Sequence, residues 1–451
     1  MAYSIIQKSQ LERALRIDAE YFQPQYLDLE NKLDTIKTIS LGDISERIIN
    51  FGAYSLCNFI EWQENGVPYL NVGDIKDGFI DYSNVKCISE KVHEILSKSA
   101  VREGDIVMPM AGSIGNVAVA ENIPGELNSN QAIAKITLEK EFSPYFVAAF
   151  LGSKFGYTQI IREIVSSVQA NIFLFQIKAF KIPIINHAKQ LEIEKIYKDG
   201  LEKLSDSKNF YKQAENLLLE ELGLKDFKLK NKLFSIVNFS DIQTANRVDP
   251  DFYQQKYFDL LEVLNKTQSA KLSSWGKRKN QIEKIYKEKI YNYIEISDIN
   301  VSDGEYSSNE VLGSELPANA KHKLNGGELI ISKVRPTRGA IALISENCSD
   351  NFIASGAFSI FNIESPMKEY LQIVLRSVVG KLQMERPTTG TSYPTITDQD
   401  VENLLIPILT KSTQQKIADL VCKSHSARQK SKDLLEQAKS KVEEMIEEKN
   451  D

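Results

Sequence analysis

Apolar positions follow the same order of spacings in two long stretches of this chain. Each stretch begins with a segment of helical spacing, such as YFQPQYLDLENKL from Tyr21. Short apolar runs come next, and DIVMPMAGSIGNVAVA from Asp105 and ELIISKVRPTRGAIALI from Glu328 each predict two strands around a turn. A short amphipathic helix, a polar segment, a strand containing IPI and a long helix complete the order. The pattern predicts an α+β fold of small mixed sheets with short helices.

The order of elements recurs together with the sequence itself. RIDAEYFQPQYLDLENKL from Arg16 matches RVDPDFYQQKYFDLLEVL from Arg247, and YLNVGDI from Tyr69 matches YIEISDI from Tyr293. The strand FKIPI likewise matches LLIPI, which ends at Ile408. Two copies of one plan predict two similar domains related by a pseudo-twofold, and they are too few for a solenoid.

A long helix is predicted after each IPI strand. Both helices carry residues at seven-residue intervals, and Arg428 is the one charged residue in the second series. Heptad spacing is typical of coiled coils, so we predict that the two long helices form an antiparallel coiled coil that separates the domains. The alternative is that each helix packs only on its own domain. The apolar residues of the two series, which are candidates for helix pairing or partner docking, are Tyr197, Leu204, Tyr211, Leu218, Val421, Leu435 and Val442.

These elements predict five segments. They are a first domain at 1–187, a first long helix at 188–223, a linker at 224–238, a second domain at 239–408 and a second long helix at 409–451. The linker is rich in lysine, which we interpret as a solvated connection, with phosphate contact as the alternative.

Composition and charge limit the class of protein. The chain has 451 residues, of which 42% are hydrophobic and 26% charged, so we expect a globular protein of two or three domains. The net charge of −6 argues against a protein coated in positive charge, but not against local basic surfaces. No apolar run approaches the roughly 18 residues of a membrane span. The isolated cysteines suggest free thiols in the cytoplasm and no metal site.

Motifs of catalysis are missing from the sequence. There is no GxxxxGK[ST] nucleotide loop, no Asn-Pro-Pro-Tyr tetrapeptide of amino-group methyltransferases and no Cys or Ser in a recognisable nucleophile context. We therefore expect no catalytic residues and no cofactor bound by this chain.

Polar segments in both copies favour contacts with nucleic acid. Amide side chains pair with adenine edges and arginine with guanine edges, whereas the alternative role for the same residues is to cap turns. The candidates in the first copy are Ser113, Asn116, Asn128, Asn130, Gln131, Gln169 and Asn171. The candidates in the second copy are Lys277, Arg278, Lys279, Lys333, Arg335, Arg338, Arg386, Thr389, Thr391, Ser392 and Tyr393.

The duplicated order of motifs resembles the specificity subunits of type I restriction–modification systems. The phrases EGDIVMPMAGSIGNVAVA and GGELIISKVRPTRGAIAL are similar to the family's strand pair, and TGTSYPTITDQDVENLLIPI is similar to its ending before a glutamine-led helix. The first copy departs from this pattern, because SSVQANIFLFQIKAFKIPI lacks the Gly-Thr and Pro of the second.

The resemblance implies a non-catalytic subunit that binds double-stranded DNA through two target-recognition domains, each reading half of a split target. It implies two methyltransferase subunits and ATP-dependent restriction subunits as partners, with S-adenosylmethionine, ATP and Mg used by those partners. The paired long helices would set the gap between half-sites.

Three other functions stay open from the sequence. One is the recognition subunit of a related bipartite, type IIB-like, restriction–methylation enzyme. The second is a methyltransferase or nuclease with unusual motifs, and the third is a two-lobed protein scaffold without a DNA role.

Overall fold

The computed structural model describes residues 3–14, 16–50, 60–164, 170–225, 227, 234–279, 282–363 and 367–448. The chain divides into two compact units. Unit 1 consists of Met1–Leu204 together with Arg428–Asp451, and unit 2 consists of Ser205–Ala427. Each long helix therefore contributes residues to both units, whereas the sequence pattern treats the long helices as separate segments.

The helices alternate with short strands throughout the described residues. Several begin with the caps that their sequences predict, as when Ser143 accepts a hydrogen bond from the Phe146 amide ahead of a proline at the first helical position. The helices are α1 Lys8–Ala14, α2 Pro24–Asp34, α3 Glu90–Ile95, α4 Pro144–Gly152, α5 Lys154–Arg162, α6 Leu174–Lys178, α7 His187–Glu221, α8 Phe239–Ala245, α9 Gln255–Lys266, α10 Lys368–Arg376, α11 Val378–Glu385, α12 Asp398–Glu402 and α13 Lys411–Glu447.

The described residues of unit 1 form three small sheets. Strands β1 and β10 form a two-stranded sheet. One four-stranded sheet has the order β2-β9-β6-β7, and another has the order β3-β5-β4-β8, in which β4 and β8 are parallel. The strands are β1 Thr38–Ser40, β2 Ser45–Ile49, β3 Trp62–Gln63, β4 Val67–Leu70, β5 Lys86–Ile88, β6 Ile106–Pro109, β7 Ala118–Val119, β8 Asn128–Ser129, β9 Ile133–Leu138 and β10 Lys181–Pro183.

Three small sheets also form among the residues of unit 2 that the structure describes. They are the pair β11-β20, the sheet β12-β19-β16-β17, and the sheet β14-β13-β18-β15 with β13 and β18 parallel. The strands are β11 Ser269–Lys271, β12 Gly276–Arg278, β13 Ile290–Ile294, β14 Asn309–Leu312, β15 Ala320–Lys323, β16 Leu329–Ser332, β17 Ile341–Leu343, β18 Phe352–Ser355, β19 Phe358–Ile363 and β20 Leu405–Pro407. The predicted combination of small mixed sheets and helices is confirmed.

A close approach between two consecutive helices occurs in both units. The α4–α5 corner places Gly156 where a Cβ atom would lie 2.2 Å from the Phe150 carbonyl oxygen. At the α10–α11 corner, a Cβ atom on Gly380 would lie 2.1 Å from the Leu375 carbonyl oxygen. Real Cβ atoms do not approach an oxygen this closely, so only glycine allows each corner.

The opening segment of each copy is fixed by one arginine. Arg16 forms a two-pronged pair with Asp18 and donates to the Arg162 carbonyl oxygen at 3.0 Å. Arg247 forms the same pair with Asp249 and donates to the Pro387 carbonyl oxygen at 3.0 Å. The repeated RxD sequence therefore serves to hold each opening segment against the end of a later helix.

The two halves of the long helices pack within the units. In unit 1, a Cβ atom on Gly200 of α7 would lie 3.2 Å from the Leu435 side chain of α13, and Lys441 lies 3.8 Å from Glu192. Higher numbers in one helix meet lower numbers in the other, so these halves run antiparallel. In unit 2, the buried Ser207 of α7 contacts Ser424 of α13.

Candidate nucleic-acid interface

A small hairpin in unit 2 brings together several of the candidate residues. Thr389 and Thr395 exchange two backbone hydrogen bonds of 3.0 and 2.9 Å, and Gly390 takes a φ of 90° that glycine tolerates. The Thr391, Ser392 and Tyr393 side chains at the tip of this hairpin are exposed.

The hairpin is joined to the turn that follows β16. The Arg335 amide donates to the Pro394 carbonyl oxygen at 2.7 Å, and the Ile396 amide donates to the Lys333 carbonyl oxygen at 3.0 Å. Two segments that are far apart in the sequence therefore form one surface, which we call the hairpin–turn surface (residues 333–339 and 386–396).

Arg335 occupies a special position on the hairpin–turn surface. Its φ of 47° is left-handed, which is uncommon for a residue with a side chain. Its guanidinium carbon lies 4.3 Å from the centre of the Tyr393 ring, and one of its nitrogens donates to the Ser392 carbonyl oxygen at 3.2 Å. Tyr393 is 66% exposed. Stacking of this kind holds the arginine fork in one orientation while other N–H donors stay available.

The chemistry of this surface suits nucleic acid. Arginine presents a planar fork that matches two acceptors of guanine or of phosphate, and hydroxyl side chains can bond to either. Arg338 is exposed in the same turn and adds a second guanidinium. The nearby Asp398 carboxylate forms ion pairs with Lys333 and Arg278, whereas Arg335 and Arg338 carry the positive charges of the turn.

Two of the other candidate cations in unit 2, Lys333 and Arg278, share one carboxylate. Asp398 lies 3.0 Å from Lys333 and 3.4 Å from Arg278, and Glu402 lies 2.6 Å from Arg278. Burial acts to raise the pKa of Asp398, but the hydrogen bond and charge of Lys333 and the charge of Arg278 bring that pKa below its usual value. These cations therefore join parts of the unit.

Lys277 and Lys279 flank Arg278 with different exposure. Lys277 is exposed on β12, whereas Lys279 lies 2.7 Å from the carboxylate of Glu328, which is 1% exposed. Glu328 also accepts hydrogen bonds from the amides of Asn325 and Gly326. The acidic residue of the GGELI phrase is thus part of a buried turn.

Arg386 lies at the start of the hairpin segment but is half-buried. Its guanidinium carbon lies 4.3 Å from the centre of the Phe252 ring and 5.4 Å from that of Phe258, and its Nε donates to the Phe252 carbonyl oxygen at 3.3 Å. Burial lowers the pKa of this arginine. The structure therefore places Arg386 among apolar side chains.

In unit 1, the corresponding turn carries Ser113 and Asn116. Ser113 is exposed, and the Asn116 amide nitrogen donates to the Ile75 carbonyl oxygen at 2.9 Å. Backbone pairing joins this turn to Asn171, because Ala111 and Asn171 form a bridge and the Ile172 amide donates to the Met110 carbonyl oxygen at 3.0 Å. The turn after β6 therefore meets the segment before α6, just as the turn after β16 meets the hairpin in unit 2. Gln169 lies outside the described residues.

Asn128 lies in the interior of unit 1. It is 0% exposed, its amide nitrogen lies 3.0 Å from the His93 ring and 3.2 Å from the Leu96 carbonyl oxygen, and its oxygen accepts from the Ser99 hydroxyl. These groups use both ends of the amide, so Asn128 has a structural role in this conformation.

Asn130 and Gln131 follow Asn128 on the same segment. The Asn130 side-chain oxygen accepts from the Ala132 amide at 2.7 Å, which is the turn-capping role that the sequence leaves open. Gln131 is half-buried.

Exposed aromatic residues also lie near the turn after β6, and the sequence prediction of polar contacts does not include them. Phe173 and Phe175 are 48% and 71% exposed, and their rings stack with centres 5.9 Å apart. Tyr157 lies against Gly115, where a Cβ atom would be 2.7 Å from its ring. The alternating aromatics of IFLFQ are the signal that could have indicated them.

The heptad residues lie inside the units. Tyr197 donates from its hydroxyl to the Gly78 carbonyl oxygen at 2.7 Å, and the Tyr211 hydroxyl accepts from Arg376 at 2.6 Å. Burial raises the pKa of both tyrosines. Tyr211 is half-buried, and the other residues of the set are buried: Tyr197, Leu204, Leu218, Val421, Leu435 and Val442.

Other classes of site are missing from the part of the chain that the structure describes. No group of three His, Cys, Asp or Glu side chains there is arranged to hold a metal ion. No helix in the described ranges has the length and apolar character that a membrane crossing needs.

Part of this chain is similar in sequence to known proteins. Residues 34–215 match the family described as the type I restriction modification DNA specificity domain. Residues 34–215 are therefore similar to this specificity domain. The matched residues cover the body of unit 1 and part of α7.

Curated relatives are similar to parts of the chain. The type I restriction enzyme EcoBI specificity subunit of Escherichia coli is 26% identical over an alignment of 194 residues, and the match covers 38% of this chain and 39% of that protein. The type I restriction enzyme HindI specificity subunit of Haemophilus influenzae is 28% identical over an alignment of 131 residues, and the match covers 27% of this chain and 28% of that protein. The chain thus matches well under half the length of either relative.

A solved structure also aligns with this chain. The S subunit of a type I restriction–modification system from M. genitalium aligns with 90% of this chain and 95% of its own, at 14% identity and a TM-score of 0.40.

Proposed function

We propose that this chain is the non-catalytic DNA-recognition subunit of a type I restriction–modification complex. The observation that carries the proposal is the hairpin–turn surface of unit 2, where the Arg335 fork is held on the exposed Tyr393 ring. The specificity-domain match in residues 34–215 supports the same function for unit 1. Each unit would read one half of a split target in double-stranded DNA.

The finer architecture is part of the proposal. Residues 1–187 and 239–408 would be the two target-recognition domains, related by a pseudo-twofold. The long helices, joined by the linker 224–238, would pair as an antiparallel coiled coil that sets the gap between half-sites. The antiparallel contact of Gly200 with Leu435 and the buried Ser207–Ser424 pair support helix pairing.

Two like partner subunits fit a repeated exposed surface. Apolar residues at matched positions of the two opening segments are 73–91% exposed, which folding of the chain alone does not explain. We propose that they take part in docking two methyltransferase subunits. ATP-dependent restriction subunits would join this complex, and the partner subunits would use S-adenosylmethionine, ATP and Mg. The matched pairs are Tyr3 and Phe234, Ile5 and Ile236, and Ile17 and Val248.

Methylation mapping tests the function directly. The chain would be co-expressed with the methyltransferase of its operon in an unmethylated host, and adenine methylation would be mapped by single-molecule sequencing. We expect a split motif with two defined blocks around a fixed gap. Replacing residues 386–396 by the segment of a homologous protein should change one block only.

A matched variant separates recognition from folding. Arg335→Ala should weaken or relax one block of the motif, whereas Lys266→Ala, an exposed lysine on α9 paired with Glu262, should leave both blocks unchanged. A soluble complex that methylates no split motif would contradict the proposed function and favour a protein scaffold.

A further inference from the structure

Each unit has a groove between two matched helices, α2 and α5 in unit 1 and α9 and α11 in unit 2. In unit 1 it lies between α2 and α5, where Arg162 forms an ion pair of 3.0 Å with Glu30. Arg162 also donates to the Tyr21 carbonyl oxygen at 3.0 Å. The remaining cavity has a volume of about 40 Å³, so the ion pair and its neighbours fill most of the groove.

The groove of unit 2 is built from the matched positions. Gln159 exchanges two hydrogen bonds with the backbone of Lys181 in unit 1, and Gln383 exchanges the same two with the backbone of Leu405 in unit 2. The Nε donation of Arg386 to the Phe252 carbonyl oxygen likewise repeats that of Arg162. Arg386 is therefore the counterpart of Arg162.

The partner of the arginine differs between the two grooves. The position of Glu30 on α2 is occupied by Leu261 on α9. Among residues 234–279, 282–363 and 367–448, no carboxylate forms an ion pair with Arg386; its guanidinium instead lies over the rings of Phe252 and Phe258. Loss of the glutamate thus leaves a half-buried cation with N–H donors to spare.

The loss of the glutamate coincides with an open cavity. The groove of unit 2 has a volume of about 260 Å³ and mostly apolar walls. Arg386 and Asp400 are its charged residues, and one Asp400 oxygen already accepts from the Thr397 amide and hydroxyl at the start of α12. Its leucine and phenylalanine side chains are Phe252, Leu260, Leu261, Leu382, Leu404 and Leu405.

We infer that this cavity binds a small apolar carboxylate, whose carboxyl group pairs with Arg386 in place of the missing glutamate. Arginine forms two parallel hydrogen bonds with a carboxylate, and the bond is stronger where water is excluded. A cavity of roughly 150 Å³ accommodates benzene, so the larger volume here suits a ring or branched chain bearing one short acid arm. The carboxylate could belong to a free acid or to the C-terminal residue of a peptide. Binding of such a ligand would be a property of unit 2 that is separate from DNA recognition.

Calorimetry on the full chain tests the site with a defined probe. 3-Phenylpropionate should bind, and 3-phenylpropionamide, which has the same shape without the charge, should bind at least tenfold more weakly. A peptide ending in Gly-Gly-Phe with a free C-terminus distinguishes the two sources: binding comparable to the free acid indicates a peptide, and binding of the acid alone indicates a free ligand.

Variants that copy the unit 1 groove link binding to the cavity. Leu261→Glu recreates the pair of Glu30 and Arg162, so it should fold with an unchanged thermal midpoint and lose at least tenfold in affinity. Leu261→Met keeps the wall apolar and should retain binding, and Arg386→Gln should lose it. Equal binding of acid and amide, or undiminished binding to a folded Leu261→Glu variant, would overturn the inference. DNA methylation by the complex is read separately, so failure of this site and failure of the proposed function are distinguishable.

Discussion

The hydroxyl oxygen of Ser207 lies 3.1 Å from that of Ser424, and the Ser424 hydroxyl also donates to the Ser207 carbonyl oxygen at 2.8 Å. A side-chain bond to the backbone of a facing helix requires that the two helices approach closely. Both serines are buried, so there is no room here for a longer side chain.

Enlarging one of these serines should destabilise unit 2. Ser424→Leu adds volume to a filled contact and removes a hydrogen bond, so we expect a loss of roughly 2–4 kcal/mol in the free energy of unfolding. Ser426→Leu is the matched control, because Ser426 lies in the same helix and is exposed. Urea unfolding of the two variants measures the difference, and equal stabilities would contradict the helix contact.

Lys135 should make the stability of unit 1 depend on pH. It is 0% exposed, and burial together with the charge of Arg47 lowers the pKa of its ammonium group from 10.5 to about 8. Between about pH 8 and 10.5, the unfolded chain keeps this proton while the folded protein has released it. The free energy of unfolding contributed by Lys135 therefore rises with pH across that window, by about 3 kcal/mol in total.

Substitution of Lys135 should remove this dependence. The matched strand position in unit 2 is Ile360, so Lys135→Ile imitates a residue that the fold already accepts. We expect the variant to be more stable than the parent at pH 7 and to lack the rise between pH 8 and 10.5. Thermal melting at several pH values measures both effects, and a rise of unchanged size in the variant would assign the dependence to other groups.

Asn128 should be required for folding of unit 1. Asn128→Ala removes the hydrogen bonds to His93, Ser99 and Leu96 in a buried site, which should lower the free energy of unfolding by roughly 1–3 kcal/mol. The affinity of the folded fraction for DNA should not change. A selective loss of DNA binding without loss of stability would instead support a role in base reading.

Arg335 should contribute to DNA affinity through both its charge and its position. Arg335→Ala should weaken binding to a duplex containing the mapped motif by roughly 1–3 kcal/mol and relax the preference at one base pair. Tyr393→Ala should produce part of the same loss, because it frees the guanidinium from its stacked position. Fluorescence anisotropy at one fixed salt concentration measures both, and Lys266→Ala serves as the unaffected control.

The sequence predicts those features of the fold that depend on local patterns. Apolar spacing indicates the strands and long helices, and repeated phrases such as RxD reveal that one plan is used twice. The glycine- and proline-containing segments after β16 and α11 read as turns from their residue types alone, but their junction through Arg335 and Pro394 depends on residues nearly sixty positions apart.

Features that depend on distant partners could not be predicted. The amide of Asn128 looks the same in the sequence whether it reads a base or fills the interior, and only the approach of His93 and Ser99 decides. Lys333 and Arg278 likewise appear as free cations until the fold brings Asp398 between them. The contacts of the candidate residues with DNA stay predictions.

The membership of Arg428–Asp451 in unit 1 has a consequence for synthesis on the ribosome. The core of unit 1 includes Leu435, Val442 and Ile446, which are translated after every residue of unit 2. Domains generally fold as they emerge from the ribosome, but here residues 1–204 of unit 1 emerge without the α13 residues that complete their hydrophobic core. Unit 2, whose residues are continuous in the chain, can finish folding first, so the nascent first unit must wait with apolar surface uncovered until translation has passed the second.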